Sequence, residues 1–330
     1  MQRRLFWHGC LLSVLLLAAC GGPAASVNLV KPAENTQPTA PASAQRRVAL
    51  IMKTLTNPFF AAMERGARQA ETELGIELIV LTGSQETSVE QQISNVRRMI
   101  EEQVDAIVIA PADSANLVPV LRDAQAAGIV VVNIDNRLDP VVMQAQGLTG
   151  VPFISVDNEE GAYQSASFLA SLADGPSQAI ILEGIRSAQN SEDRKQGAVR
   201  AFAEHPEVEI VAIETANWKI DEAQAVASEL FSAHPDVTLV FAANDMMAFG
   251  VIKLLRDRGR TDVRVASFDA LDEALGAIRA GDLVATVDQQ AGLQGYMGVK
   301  TAINVLNGKP VPPQTLVDVL LVTAENVDAP

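Results

Sequence analysis

The sequence predicts an α/β protein built as two parallel-sheet domains, and three observations carry that prediction. Short apolar runs rich in Val and Ile take turns with stretches of helical periodicity. The runs are apolar throughout rather than at every second position, the pattern of parallel strands covered by helices on both faces and joined by right-handed crossovers. The alternation also comes in two successive series, and 330 residues with 48% hydrophobic content suffice to bury two cores.

A leader precedes the first series. Arg3 and Arg4 stand before the apolar run "LLSVLLLAAC", which is too short to span a bilayer and ends in small residues and a cysteine. Residues 1–19 are expected to be a signal peptide. Leu17, Ala18, Ala19 and Cys20 resemble the lipobox of bacterial lipoproteins, which makes Cys20 the expected lipidation site. The other cysteine, Cys10, falls within the leader, so no disulfide is expected in the fold. Residues 21–44 mix Pro, Ala, Ser and Thr without periodicity and read as a flexible tether between lipid and domain, placing lipidated Cys20 and tether together over residues 20–45. The expected location is the cell envelope, lipid-anchored on its periplasmic or extracytoplasmic face.

The first series opens with "RVALIM", followed by a helix to about Leu74, "ELIVL", a helix through Val89, Ile93, Val96 and Ile100, "AIVIAP", and "GIVVVNID". The second runs from "FISVDN" through a helix starting near Gly161, "AIILEG", a helix ending near Glu204, and "VEIVAI". It continues with a helix to about Ala233, "VTLVFAAND", another helix, and "RVASFDA". Two junctions echo each other, "AFAEHPEVEIVAI" and "LFSAHPDVTLVFA", where His-Pro stops a helix, so His205 and His234 are expected to cap helix C-termini.

Several function classes drop out. The net charge of −15, more negative still without Arg3 and Arg4, repels nucleic acid phosphates and anionic lipid heads. His8 leaves with the leader, and two capping histidines with no thiol beyond Cys20 make no transition-metal site. No G-x-G-x-x-G follows a strand, and neither G-x-x-x-x-G-K-[ST] nor G-x-S-x-G occurs, so no cofactor is expected and an enzyme is disfavoured.

Ligands of open α/β sheets gather at the carboxyl ends of strands. Strand one ends in Lys53 and Asn57-Pro58-Phe59-Phe60, strand four in Asp135-Asn136-Arg137, and later strands in Asn217-Trp218, Asn244-Asp245, Phe268-Asp269 and Asp288-Gln289. Carboxylates and amides answer the hydroxyls of a sugar, cations donate to its oxygens, and flat rings cover its C–H faces. Each residue also has a plainer reading. Phe59 or Phe60 would begin the buried face of a helix, and Asp135, Asn244 and Asp269 would cap the helix that follows. Trp218, the only tryptophan after the leader, sits in the polar context "TANWKID" rather than on an apolar run.

In order, "NPFF", "NIDNR", "SVDN", "DRKQGA", "ANW", "AANDMMAFG", "ASFDA" and "ATVDQ" resemble the periplasmic ribose-type and allose-type sugar-binding proteins of ABC importers, from about Arg47 to Val322. The resemblance implies the type I periplasmic binding protein fold, two doubly wound lobes joined by three hinge crossings and closing on a sugar. Lobe one would comprise residues 46–155 and 290–318, and lobe two residues 156–289 and 319–330. Carried over, it implies that Lys53, Asn57, Phe59, Phe60, Asp135 and Asn136 face the sugar from lobe one. Trp218, Asn244, Phe268 and Asp269 would do so from lobe two, with Gln289 beside a hinge. Two departures affect sugar identity: Asn136 and Gln196 stand where ribose-binding relatives carry arginines, with Arg137 and Arg194 close by.

The implied partners are a monosaccharide, an ABC permease and its ATPase subunit, with the binding protein a monomer. A sugar-responsive repressor would need a basic helix-turn-helix where the leader and tether stand. A sensory lipoprotein presenting its closed form to a chemoreceptor or sensor kinase remains a second binding reading. A glycoside hydrolase using Asp135 and Asp269 would need one raised pKa and a suitable separation between them.

Overall fold

The computed structural model describes residues 45–329. The expected signal peptide, Cys20 and the tether up to residue 44 lie outside the described residues.

The first sheet holds β1 (Arg47–Met52), β2 (Glu77–Thr82), β3 (Ala106–Ile109), β4 (Val130–Ile134), β5 (Phe153–Val156) and β11 (Gln314–Val317), in the order β11-β5-β4-β3-β1-β2 and parallel throughout. The second holds β6 (Ser177–Glu183), β7 (Val208–Thr215), β8 (Val237–Ala242), β9 (Arg264–Ala266), β10 (Ala285–Asp288) and β12 (Leu320–Thr323), in the order β12-β10-β9-β8-β6-β7. The two orders correspond strand for strand. They differ at one edge, where β12 runs antiparallel to β10, so the second sheet departs from the all-parallel expectation.

"FISV" was expected to open the second series. As β5 it instead extends the first sheet, with Asn133 opposite Phe153 and Ile134 opposite Ile154. The reason is connectivity: a short helix, α4 (Pro140–Gln146), returns the chain beside β4, and the crossing follows β5 rather than preceding it.

The uninterrupted apolar runs are explained by two-sided cover. In β1, Val48, Leu50 and Met52 enter the layer beneath α1 (Pro58–Leu74) and α10 (Ala291–Leu306), while Ala49 and Ile51 enter the opposite layer beneath α2 (Val89–Glu101) and α3 (Val118–Ala126). All five are fully buried, as period-two geometry between two helical layers requires. In the second lobe α5 (Asn158–Ser171) packs against α6 (Gln189–Ala203), and α7 (Ile220–Ala233) against α8 (Asp245–Arg258). A last helix, α9 (Asp272–Ala280), precedes β10. His234 caps α7, its backbone N–H donating to Leu230 O at 2.7 Å. His205 lies one residue beyond the C-cap of α6 and its ring pairs with Glu207 at 3.1 Å.

The chain passes between sheets three times: from β5 into α5, from β10 into α10, and from β11 into β12. Both sheets therefore turn carboxyl strand ends toward the same intervening space, which is where ligands of this architecture collect.

Candidate ligand-binding site

A chamber between the lobes is lined by Lys53, Asn57, Phe59, Phe60, Glu86 and Asp135 from the first lobe, and by Asn190, Arg194, Trp218, Asn244, Asp269 and Gln289 from the second and its crossing. Its open volume is only about 20 Å³, room for little more than a water molecule. A larger guest can enter only when the lobes part. Roomier clefts flank it or lie elsewhere, one of about 500 Å³ being an apolar groove beside α4 that holds none of these groups.

The first-lobe side grows from the end of β1. Asn57 caps α1, its Oδ1 accepting from Phe59 N–H at 3.0 Å, which leaves its amide nitrogen free to donate to Glu86 Oε1 at 2.8 Å. Capping and lining are thus one residue's two ends. Pro58 at the first helical position turns Phe59 and Phe60 inward, where their rings meet edge-to-face at 5.0 Å. Both are buried and both line the chamber, so the core reading and the ligand reading hold together.

Lys53, 2% exposed, places Nζ 3.0 Å from Asp135 Oδ2 and 5.7 Å from the Phe60 ring centre. The ammonium lies out of line for a hydrogen bond, so Asp135 Oδ2 has an ionic neighbour but no hydrogen-bond donor among the described residues. Asp135 holds φ 61°, a left-handed conformation that Asp tolerates better than most side chains. The helix after it is capped by Asp139, so Asp135 is no cap.

On the second-lobe side Arg194 is the organiser. Its Nε donates to Asn158 Oδ1 at 2.9 Å, and its Nη1 donates to Ala243 O at 2.9 Å and to Asp269 Oδ1 at 3.3 Å. The guanidinium lies 3.9 Å over Phe268 and 5.4 Å from the Trp218 ring centre. Gln289 donates to the same Asp269 oxygen at 2.6 Å, and Asn244 caps α8 through Met247 N–H at 2.9 Å. Trp218 and Asp269 also have positive φ, 66° and 120°, backbone strain held by the surrounding fold and concentrated at this site.

Burial decides the charge states. It pushes the Glu86 carboxyl up, against the pull of the Lys53 ammonium and the Asn57 amide. It also pushes Asp269 well above the usual carboxylate value, with Arg194 opposing and the neighbouring Asp245 adding to the rise. Asp245, beneath the site, is raised from 3.8 to about 6 by burial despite hydrogen bonds from Ser267, Leu271 and Thr286.

Of the residues expected here, Lys53, Asn57, Phe59, Phe60, Asp135, Arg194, Trp218, Asn244, Asp269 and Gln289 come together. Three do not. Gln196 points to solvent and donates to Glu192 at 2.6 Å, because it stands two residues, about 200° of helix, from Arg194. Arg194 occupies the cleft in its place. Asn136 lies outside the chamber lining, its Nδ2 donating to Pro111 O and Ser114 Oγ, and Phe268 lies beneath Arg194 as a platform. Arg137 stacks on Phe153 at 4.7 Å and reaches Gln314, away from the chamber. Glu86 and Asn190 were not anticipated. They follow β2 and β6, two strand ends that the carboxyl-end rule covers but that the apolar pattern left unexamined.

The profile of the periplasmic binding protein domain family matches residues 48–310. The chain belongs to that family. Among the relatives of this periplasmic binding protein, the D-ribose/D-allose-binding protein of Pseudomonas aeruginosa is 38% identical over 91% of both chains. The ribose import binding protein RbsB of Escherichia coli is 31% identical over 87% of this chain and 94% of its own. A solute-binding protein from Actinobacillus succinogenes, solved with bound D-allose, superposes with a TM-score of 0.82 at 35% identity, covering 86% of this chain and 99% of that one.

Proposed function

We propose that the protein is the substrate-binding lipoprotein of an ABC-type sugar importer, enclosing one free monosaccharide between its lobes and releasing it unaltered to a permease and its ATPase. One observation carries the reading. Asp135 Oδ2, Asn190 Oδ1 and Trp218 Nε1 are buried at the chamber and have no hydrogen-bond partner among the described residues. Buried polar atoms are rarely left so, because each costs about 1–3 kcal/mol unmade; the Lys53 ammonium offsets this at Asp135 Oδ2, but nothing among the described residues does so at Asn190 Oδ1 or Trp218 Nε1. Two acceptors and one donor on residues that line one chamber suit hydroxyl groups, which both donate and accept.

Phe59, Phe60 and Trp218 then supply flat cover for the C–H faces, and Lys53, Glu86, Asn57, Arg194, Asn244, Asp269 and Gln289 read the remaining oxygens. These groups neutralise one another, Lys53 with Asp135 and Arg194 with Asp269, so a sugar would exchange existing contacts for its own. The names of the relatives make D-allose and D-ribose the first candidates to test. Asp269 has the raised pKa that a glycoside hydrolase would need, but it is paired with Arg194 and Asp135 with Lys53, which favours binding over hydrolysis. Cys20 carries the lipid that keeps the monomer at the envelope, the membrane being reached by that anchor alone.

A thermal-shift screen over pentoses, hexoses and polyols tests the reading: one or a few sugars should raise the melting temperature and be recovered intact. Asp135→Ala should abolish the response. Full affinity in that variant, or conversion of the sugar, would overturn the assignment.

A further inference from the structure

Helix α6 begins badly. Its N-cap residue is Ala188, which offers no side-chain acceptor for the first-turn N–H groups that every helix leaves unpaired. The missing acceptors come from the other lobe. Ser114 Oγ accepts from Gln189 N–H at 3.0 Å, and Asn136 Oδ1 accepts from Asn190 N–H at 3.1 Å. Beside them Ser114 N–H donates to Ser187 O at 3.0 Å, and Asn190 Nδ2 donates to Asp135 Oδ1 at 3.4 Å.

We propose that α6 is capped across the cleft, so that Ser114 and Asn136 form a latch that favours the closed lobes without touching the sugar. This deepens the sugar-binding reading and rests on it. Asn136 and Ser114 are absent from the chamber lining, and Asn136 is fully buried and held ready by its own bonds from Nδ2 to Pro111 O at 3.1 Å and Ser114 Oγ at 3.2 Å. Opening hands the α6 amides to water; closing exchanges water for pre-aimed acceptors. A ligand shifts an equilibrium only by its differential affinity for the two states, so any bond made solely in the closed state adds to apparent affinity. Asn136, expected from sequence to read the sugar, is by this account a positioning residue.

The latch makes a prediction that a merely structural role does not. Ser114→Ala and Asn136→Ala should each weaken binding of D-allose or D-ribose about three- to thirty-fold, the size of a lost cap, through faster release. The melting temperature of ligand-free protein should hardly move. Ala188→Ser gives α6 a cap of its own and so removes the advantage of closure; it should hold or raise ligand-free stability while lowering affinity. That opposition of signs is the signature. In wild type, sugar should slow hydrogen exchange at the Gln189 and Asn190 amides, and the variants should lose that protection. If wild type binds no sugar, the functional reading fails and the latch, which rests on it, falls with it; sugar binding in wild type with unchanged affinity in all three variants overturns the latch alone.

Discussion

Asp245 shows how one side chain serves the fold at a cost set by pH. It is fully buried at the start of α8, its Oδ1 accepting from Thr286 Oγ1 at 2.8 Å and from Ser267, its Oδ2 from Leu271 N–H at 2.7 Å. Those bonds tie β9, β10 and the loop carrying Asp269 together. With its folded pKa raised from 3.8 to about 6, the carboxyl binds a proton more readily folded than unfolded. The stability it contributes is full below the unfolded value and is lost as pH rises through about 6. Glu86 and Asp269 are shifted in the same direction. The melting temperature should therefore fall as pH goes from 5 to 7, and Asp245→Asn, whose amide can donate to the two hydroxyls while its oxygen takes the Leu271 N–H, should flatten that slope. An undiminished slope in the variant would assign the dependence elsewhere. None of this was legible locally: "AAND" shows an amide and an acid after a strand, but not that the first caps α8 while the second knits three segments behind the site.

Between helices, contact distance depends on the smallest residues. Gly197 on α6 faces α5 so closely that a Cβ there would meet Glu159 O at 2.1 Å and Tyr163 N at 2.8 Å. Gly197→Ala must push backbone against backbone, and a loss of about 1–3 kcal/mol is expected, read as a lower urea midpoint with an unchanged m-value. Gly184, at the end of β6, lies against the Trp218 indole, where a Cβ would come within 2.0 Å of the ring. Gly184→Ala should displace Trp218 and weaken sugar binding at least ten-fold, measured by calorimetry; retained affinity would show that the indole does not touch the sugar. The start of α5 illustrates what local signals miss. A helix was expected from about Gly161, but it begins at Asn158, because Asp157 Oδ1 accepts from Glu160 N–H at 3.0 Å and caps it. The cap lay in "SVDN", where an acid directly follows a strand.

On the proposed reading, closure couples the lobes to the ligand. A sugar that binds only the folded, closed protein should stabilise it by about 2.7 kcal/mol at a hundred times its Kd, and the melting temperature should follow the logarithm of sugar concentration. Trp218 is the only tryptophan among the described residues and is 4% exposed at the chamber wall, so its fluorescence should report the same titration. Coincident midpoints from heat and light are the expected result; a fluorescence change without stabilisation would point to binding outside the cleft. For the intact chain in a bacterial host, Cys20→Ala should move the protein from the membrane fraction to the soluble one.

Rhythm and place were written in the chain. Uninterrupted Val- and Ile-rich runs, helical spacing between them, and acids, amides and rings at the strand ends are local patterns, and local patterns survive without knowledge of the partner lobe. Direction was not. Whether Gln196 or Arg194 enters the cleft depends on how α6 is rotated, and adjacent helical residues differ by about 100°. Whether Asn136 meets a sugar or the bare start of α6 depends on a contact 54 positions along the chain, from the opposite lobe. Glu86 joined the site only because β2 lies beside β1. These are consequences of packing, in which burial forces each polar group to find a partner wherever the folded surfaces bring one within reach.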